Sequence, residues 1–191
     1  MAMLHVGVDK STVLRLYDKD GNVRVGLAVE PKENIAALSF LTPGGKEQVA
    51  LQAQPDGKAS LHLSDKEGRS RAALGVAPDG PVALLLSDKD GKPRAISSVT
   101  AAGTANFNLY DKNQDVRVGL EAANNGEASL SVSFPGGKGR TEIIAYPNGL
   151  GGLILLDKED RKRAALALTQ DGTFSSLLLF DKDGKVIWSA H

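Results

Sequence analysis

The sequence predicts an all-β protein made of eight β-hairpin repeats of 23 residues, and three observations lead to this prediction. The phrase Leu-x-Leu-x-Asp-Lys-Asp/Glu-Gly recurs, with variations, along the whole chain of 191 residues. Apolar and polar residues alternate on both sides of it, which is the period of a β-strand. Short turn sequences separate the alternating segments. We therefore expect about 16 or 17 antiparallel strands.

The first Asp of the phrase marks the same position in each repeat. The marker residues are Asp18, Thr42, Asp65, Asp88, Asp111, Phe134, Asp157 and Asp181, which follow one another at intervals of 23 or 24 residues. A second marker recurs every 23 residues at Gly57, Gly80, Gly103, Gly126, Gly149 and Gly172, and Asn34 and Ser11 extend this series backwards. Repeats therefore fill the chain.

A longer period is superimposed on the repeat. Arg-Ala-Ala-Leu occurs at 71–74 and 163–166, and Pro-Gly-Gly-Lys occurs at 43–46 and 135–138. A block of four repeats is thus duplicated. We predict a single repeat domain over 1–191, made of two halves of about 92 residues (8–99 and 100–191) with a pseudo-twofold relationship.

Apolar residues stand two and four positions before each marker, and again seven, nine and eleven positions after it. In the first repeat the residues after the marker are Val25, Leu27 and Val29, and across the chain only Ser97 and Thr141 are polar at such positions. One face of the predicted sheet is consequently apolar, and the other is mixed.

The turn types can be predicted from the requirement that the apolar positions before and after each turn lie on the same face of the sheet. A two-residue type I′ loop at Asp20-Gly21 pairs Leu16 with Val25 and keeps both on the apolar face. The other turn, Pro78-Asp79-Gly80, predicts a three-residue loop with its glycine in the left-handed conformation, a role that Asn34 fills in the first repeat. These pairings map each residue onto its equivalent in the next repeat without drift of the register.

About 16 strands spaced about 4.8 Å apart form a sheet some 77 Å wide. An apolar face of this size is expected to be buried against another surface. We expect the sheet to fold on itself, with one four-repeat block facing the other, or to bury the face in an oligomer. A four-bladed propeller and a β-solenoid are the alternatives.

Composition excludes several classes of protein. The 23 Lys and Arg residues balance 23 Asp and Glu residues, which argues against nucleic acid as a partner. The chain contains no cysteine, so disulfides and thiolate metal sites are excluded. Its apolar runs are too short to span a membrane, and we expect no signal peptide. No residue pattern marks a cellular compartment.

Arginine recurs six residues after the marker, at Arg24, Arg71, Arg94, Arg117, Arg140 and Arg163. The predicted pairing places Arg24 opposite Tyr17, and Arg117 opposite Tyr110. Cation–π packing worth about 0.5–1 kcal/mol then explains each pair. The functional alternative is a row of guanidinium groups that binds phosphate, sulfate or acidic glycans.

A small sugar-binding patch is predicted on the mixed face, because aromatic rings, amides and guanidinium groups suit carbohydrate hydroxyls. Its residues are Arg15, Tyr17, Arg24, Asn106, Asn108, Tyr110 and Arg117.

The turn Asp18-Lys19-Asp20-Gly21 is similar to the opening of a calcium-binding loop. Such a loop ends on a bidentate acid, where this chain has Val29. Hairpin-turn chemistry explains the aspartates without calcium, so we predict no metal site and no cofactor, and keep a calcium-stabilised extracellular repeat as a third alternative.

Catalysis has little support in the sequence. His5, His62 and His191 are the histidines, and the serines beside His62 belong to a strand. The paired carboxylates lie in turns, where water solvates them. We predict that the protein is not an enzyme.

The unit Leu-x-Leu-x-Asp-x-x-Gly-x-x-Arg-x-x-Leu resembles the repeats of uncharacterised bacterial β-hairpin proteins. The segment 184–190, Gly-Lys-Val-Ile-Trp-Ser-Ala, resembles their usual ending. The resemblance implies the hairpin-repeat fold and no activity. We therefore expect a structural or interaction module, with itself or another protein as partner, and a lectin-like, glycan-binding module as the alternative.

Overall fold

Every regular element in the computed structural model is a β-strand, and the model describes residues 1–7, 11–168 and 175–190. Gly172 and His191 lie outside these ranges. The chain divides into two compact units, unit one (Met1–Pro93) and unit two (Arg94–His191). The all-β class and the 23-residue repeat are confirmed.

Unit one contains the strands β1 (Ala2–Val6), β2 (Thr12–Tyr17), β3 (Val23–Glu30), β4 (Ile35–Leu41), β5 (Glu47–Ala53), β6 (Ala59–Ser64), β7 (Ser70–Val76) and β8 (Val82–Ser87). A ninth strand, β9 (Pro93–Val99), begins at the unit boundary. Unit two continues with β10 (Ala105–Tyr110), β11 (Val116–Ala122), β12 (Ala128–Ser133), β13 (Arg140–Ala145), β14 (Gly151–Leu156), β15 (Lys162–Leu168), β16 (Ser175–Phe180) and β17 (Val186–Ala190).

Within each unit, consecutive strands pair antiparallel. The pairing runs from β1 to β8 in unit one and from β9 to β17 in unit two. A solenoid stacks parallel coils, and a propeller blade ends after four strands. Both alternatives are therefore wrong for the pairings within the units.

The predicted register is confirmed in both units. Leu14 pairs with Leu27, Leu27 with Leu38, and Leu38 with Leu51. This row of directly paired residues continues through Leu61, Leu74 and Leu84. In unit two it runs from Phe107 through Leu120 and Leu130 to Leu177. Equivalent residues therefore lie in straight rows across the strands, because the shifts introduced by successive turns cancel.

The turn at the marker differs from the predicted two-residue loop. The Asp18 N–H donates to the Asn22 carbonyl oxygen at 2.9 Å, and the Gly21 N–H donates to the Asp18 carbonyl oxygen at 3.3 Å. This is a three-residue loop with Gly21 in the left-handed region (φ 86°). A β-bulge follows at once: Tyr17 pairs with Val23 but Leu16 pairs with Val25, so Arg24 is the extra residue.

The three-residue loop and the bulge together leave Leu16 opposite Val25, as a two-residue loop would. The predicted pair is therefore correct although the predicted loop length is wrong. The second kind of turn matches its prediction. The Gly80 N–H donates to the Ala77 carbonyl oxygen at 3.0 Å, and Gly80 is left-handed with φ 95°. Asn34 is left-handed as well, with φ 54°.

The apolar face remains exposed in both units. Among the described residues Ala50, on the mixed face, is the one buried apolar residue, at 2% exposure. On the apolar face Leu27 is 47% exposed in unit one, and Leu120 is 45% exposed in unit two. The expected fold-over of the sheet requires these side chains to be buried, and this burial is not observed.

Candidate functional site

The first group of predicted binding residues lies in unit one. Arg15 and Tyr17 alternate with Leu16 along β2 and so lie on the mixed face. The Tyr17 hydroxyl donates a weak hydrogen bond to Met3 Sδ at 3.8 Å. Arg15 lies opposite Met3 on one side and Gly26 on the other. Tyr17 thus packs towards the N-terminal strand.

Arg24, the third member, points to the turn. Its Nε–H donates to the Leu41 carbonyl oxygen at 2.8 Å, and its Nη1 lies 3.8 Å from Asp18 Oδ2. The predicted pairing of Arg24 with Tyr17 is wrong, because the bulge places Val23 opposite Tyr17. The guanidinium is therefore engaged with the backbone of the next repeat.

The second group lies in unit two. Asn108 lies opposite Gly119, and Gly119 lies opposite Ser131. A Cβ atom at Gly119 would lie 3.2 Å from Asn108 Oδ1 and 2.9 Å from Ser131 Oγ. Because Gly119 has no side chain, Asn108 Oδ1 and Ser131 Oγ both reach over it and form a polar patch around Gly119.

Tyr110 and Arg117 do not pair with each other, contrary to the prediction. Tyr110 lies opposite Val116, whereas Arg117 donates from Nε to the Ser133 carbonyl oxygen at 2.7 Å. Asn106 lies opposite Glu121. The seven predicted residues thus form two groups, one in each unit, and their role in binding a glycan stays a prediction.

The Arg–Asp pairing recurs at equivalent positions of the 23-residue unit. The pairs are Arg24–Asp18, Arg71–Asp65, Arg117–Asp111 and Arg163–Asp157, at 3.8, 3.9, 3.8 and 3.7 Å. Successive pairs lie 46 or 47 residues apart, which is twice the repeat. Arg71 also donates to a backbone carbonyl, that of Ser87, at 3.2 Å. Arg24, Arg71 and Arg117 thus tie one turn to the strand end of the next repeat, which favours the structural explanation of the arginine row.

The marker carboxylates are committed to the turns. Asp18 Oδ1 accepts from the N–H groups of Asn22 at 2.9 Å and Asp20 at 3.0 Å. The Asn22 N–H is the main cause that lowers the pKa of Asp18 below its ordinary value, and Arg24 adds to the effect. Asp65 shows the same balance, since burial would raise its pKa but the hydrogen bonds from Arg69 outweigh that and lower it.

The described part of the chain contains no group of three or more acidic or histidine side chains able to hold a metal ion. His62 lies between Ala50 and Ala73 across the strands, and His5 lies opposite Val13. Neither position offers a cross-strand partner that exchanges protons.

Two depressions on the apolar face were not predicted from the sequence. The first has a volume of about 260 Å³ and lies over Ala36 and Ala53, between leucines of neighbouring strands. The second, about 200 Å³, adjoins it over Ala59. The signal in the sequence was the recurrence of alanine at one row of the apolar face, where small side chains leave holes.

No known protein family matches the chain, and no curated protein matches it significantly. The structure shows the 23-residue repeat itself, and the resemblance to bacterial hairpin-repeat proteins stays a prediction. Among the described segments no helix is long and apolar enough to cross a membrane.

Proposed function

We propose that the protein is a non-enzymatic structural and interaction module, which assembles with itself or binds a partner through its apolar strand face or its strand edges. The exposed apolar face is the observation that carries this proposal. On β2–β8 of unit one, side chains 39–47% exposed are Leu16, Leu27, Val29, Phe40, Leu51, Leu63, Leu74, Val76, Leu84 and Leu86.

These ten residues form a contiguous apolar patch, and large exposed apolar patches mark interaction surfaces. Burial of apolar area stabilises an assembly by about 25 cal/mol per Å² before the costs of association. Burial of this face by a partner would therefore contribute favourably to the free energy of association.

The turns supply the rigidity that an interaction module needs. The Arg–Asp pairs and the backbone hydrogen bonds at each marker hold neighbouring hairpins in a fixed register. The terminal strands β1 and β17 are exposed along their whole length, and exposed strands favour edge pairing.

A direct test measures sedimentation velocity over a wide range of concentrations, together with the fluorescence of an apolar dye such as ANS. We expect assembly, dye binding or both. A chain that stays monomeric at every concentration and leaves the dye fluorescence unchanged would contradict the proposal.

A second candidate is the carbohydrate-binding module, and the patch around Gly119 favours it. Asn108 and Ser131 converge there, and Tyr110 lies two residues beyond Asn108 on the same strand. A glycan array tests this candidate: specific binding that is lost in Tyr110→Ala supports it, and uniform absence of binding rejects it.

A further inference from the structure

We propose that the apolar face of unit one is covered by the same face of a second copy of this chain, in a twofold sheet sandwich. The inference rests on the proposed function, since it names the partner of the exposed face. Three features of the face carry it: a ridge, a line of holes beside the ridge, and an area without charge.

The ridge is a row of leucines, one on each strand of unit one, which we call the central row. Its members lie directly opposite one another across the strands and are Leu4, Leu14, Leu27, Leu38, Leu51, Leu61, Leu74 and Leu84. Because the register does not drift, the ridge runs straight across the strands.

The holes lie in the adjacent row, two residues along each strand and about 6.8 Å away. There Ala36 pairs with Ala53, and Ala53 pairs with Ala59. The depressions of about 260 and 200 Å³ lie over these alanines. Leu51 borders both of them, so ridge and holes are parts of one continuous surface.

Ridge and holes on one surface make that surface complementary to itself. A twofold axis that runs parallel to these rows, midway between two facing sheets, can lay the central row of one copy over the row of Ala36, Ala53 and Ala59 in the other. The reverse contact follows by symmetry. Packed sheets stand about 10 Å apart with interdigitated side chains. A second copy has the matching strand spacing by construction, whereas a flat surface would leave both depressions unfilled.

The size and the charge of the face also suit a second copy. Three rows on the seven strands β2–β8 give 21 residues, and a standard interface has about 20–30 residues on each side. The three rows of the apolar face on β2–β8 contain no charged residue. Their burial therefore desolvates no ion, which would otherwise oppose association.

The experiment compares two neighbouring residues that lie on opposite faces of β5. Leu51 lies on the apolar face and Gln52 on the mixed face. In sedimentation equilibrium we expect a dimer of the full chain, a dissociation constant raised about 100-fold or more by Leu51→Glu, and no change with Gln52→Glu. Circular dichroism checks that each variant is folded.

Cross-linking provides a second measurement that does not depend on a charged variant. The chain has no cysteine, so Ala53→Cys and Gln52→Cys each introduce a unique thiol. We expect a short bismaleimide to cross-link two chains of Ala53→Cys and to leave Gln52→Cys monomeric on a denaturing gel. If Leu51→Glu does not fold, this result decides by itself.

Several outcomes would overturn the inference and still separate it from the proposed function. A dimer that survives Leu51→Glu and gives no Ala53→Cys cross-link has its contact elsewhere, so the function stands and the face-to-face sandwich fails. If the protein is a monomer that binds phosphatidylcholine vesicles, and Leu51→Glu abolishes this binding, the face has another partner. A monomer that binds neither vesicles nor ANS rejects both proposals.

Discussion

The Nε–H of Arg117 donates a hydrogen bond of 2.7 Å to the carbonyl oxygen of Ser133, so an arginine of one repeat holds the strand end of the next. The same guanidinium lies 3.8 Å from the carboxylate of Asp111 in its own turn. A side chain in a β-bulge thereby connects two hairpins that are otherwise joined by their strand ladder.

Replacement of Arg117 by methionine should destabilise the protein by about 1 kcal/mol, because a hydrogen bond is lost while the apolar stem is retained. Urea denaturation measures the difference. The matched control is Arg15→Met on β2, where we expect less than half that effect. Equal effects of the two variants would show that the contact with Ser133 adds nothing to stability.

The left-handed turn glycines should resist replacement because of their backbone conformation alone. Gly80 has φ 95° and open space around it, so Gly80→Ala should cost about 1 kcal/mol in strain. Gly26 also has open space but ordinary backbone dihedrals, so Gly26→Ala should be neutral or slightly stabilising. Thermal unfolding of the two variants compares them, and a reversed order would refute the explanation.

A different mechanism applies to Gly152, where the backbone itself is in the way. A Cβ atom there would lie 2.3 Å from the Leu166 carbonyl oxygen, so Gly152→Ala must shift a strand. We expect a loss of about 2 kcal/mol or more in the free energy of unfolding. At Gly75 the nearest atom, the Ala59 carbonyl oxygen, lies 3.8 Å away, so Gly75→Ala serves as the tolerated control.

Acid should weaken the turns. Burial opposes the shift at Asp65, but hydrogen bonds from the Arg69 backbone and side chain lower its pKa below the ordinary 3.8. A carboxyl whose pKa is lower in the folded state stabilises the fold above its unfolded pKa, and this stabilisation is lost as the pH falls from about 3.8 through the lower, folded value. The melting temperature should therefore decrease when the pH is lowered below 3.8.

The variant Asp65→Asn isolates this contribution. It should already be destabilised at neutral pH, and its melting temperature should change less than that of the wild type when the pH falls below 3.8. Parallel curves for the two proteins would mean that other groups cause the acid sensitivity.

Removal of calcium should leave the stability unchanged, because Asp18 Oδ1 already accepts two backbone hydrogen bonds and Lys19 Nζ pairs with Asp20 at 2.9 Å. Thermal unfolding in EDTA and in excess CaCl₂ measures this. A melting temperature that rises with calcium would revive the alternative of a calcium-stabilised repeat.

The sequence alone was enough to predict the repeat, the strand pairs and the straight apolar rows. The physical reason is that side chains alternate with a period of two, so a register error would move every leucine to the other face. The sequence therefore determines that Leu16 lies opposite Val25 and Leu14 opposite Leu27.

The tertiary structure decided what this periodicity leaves open. The apolar rows constrain only the combined register shift of loop and bulge. The three-residue loop at Asp18 and the extra residue Arg24 are therefore decided by the three-dimensional structure. The partners of Arg24 and Arg117 depend on that bulge. The exposure of Leu51, and the holes over Ala36 and Ala53, depend on which surfaces meet in three dimensions. Local alternation in a chain records which face is apolar, and only the packed structure shows whether anything covers it.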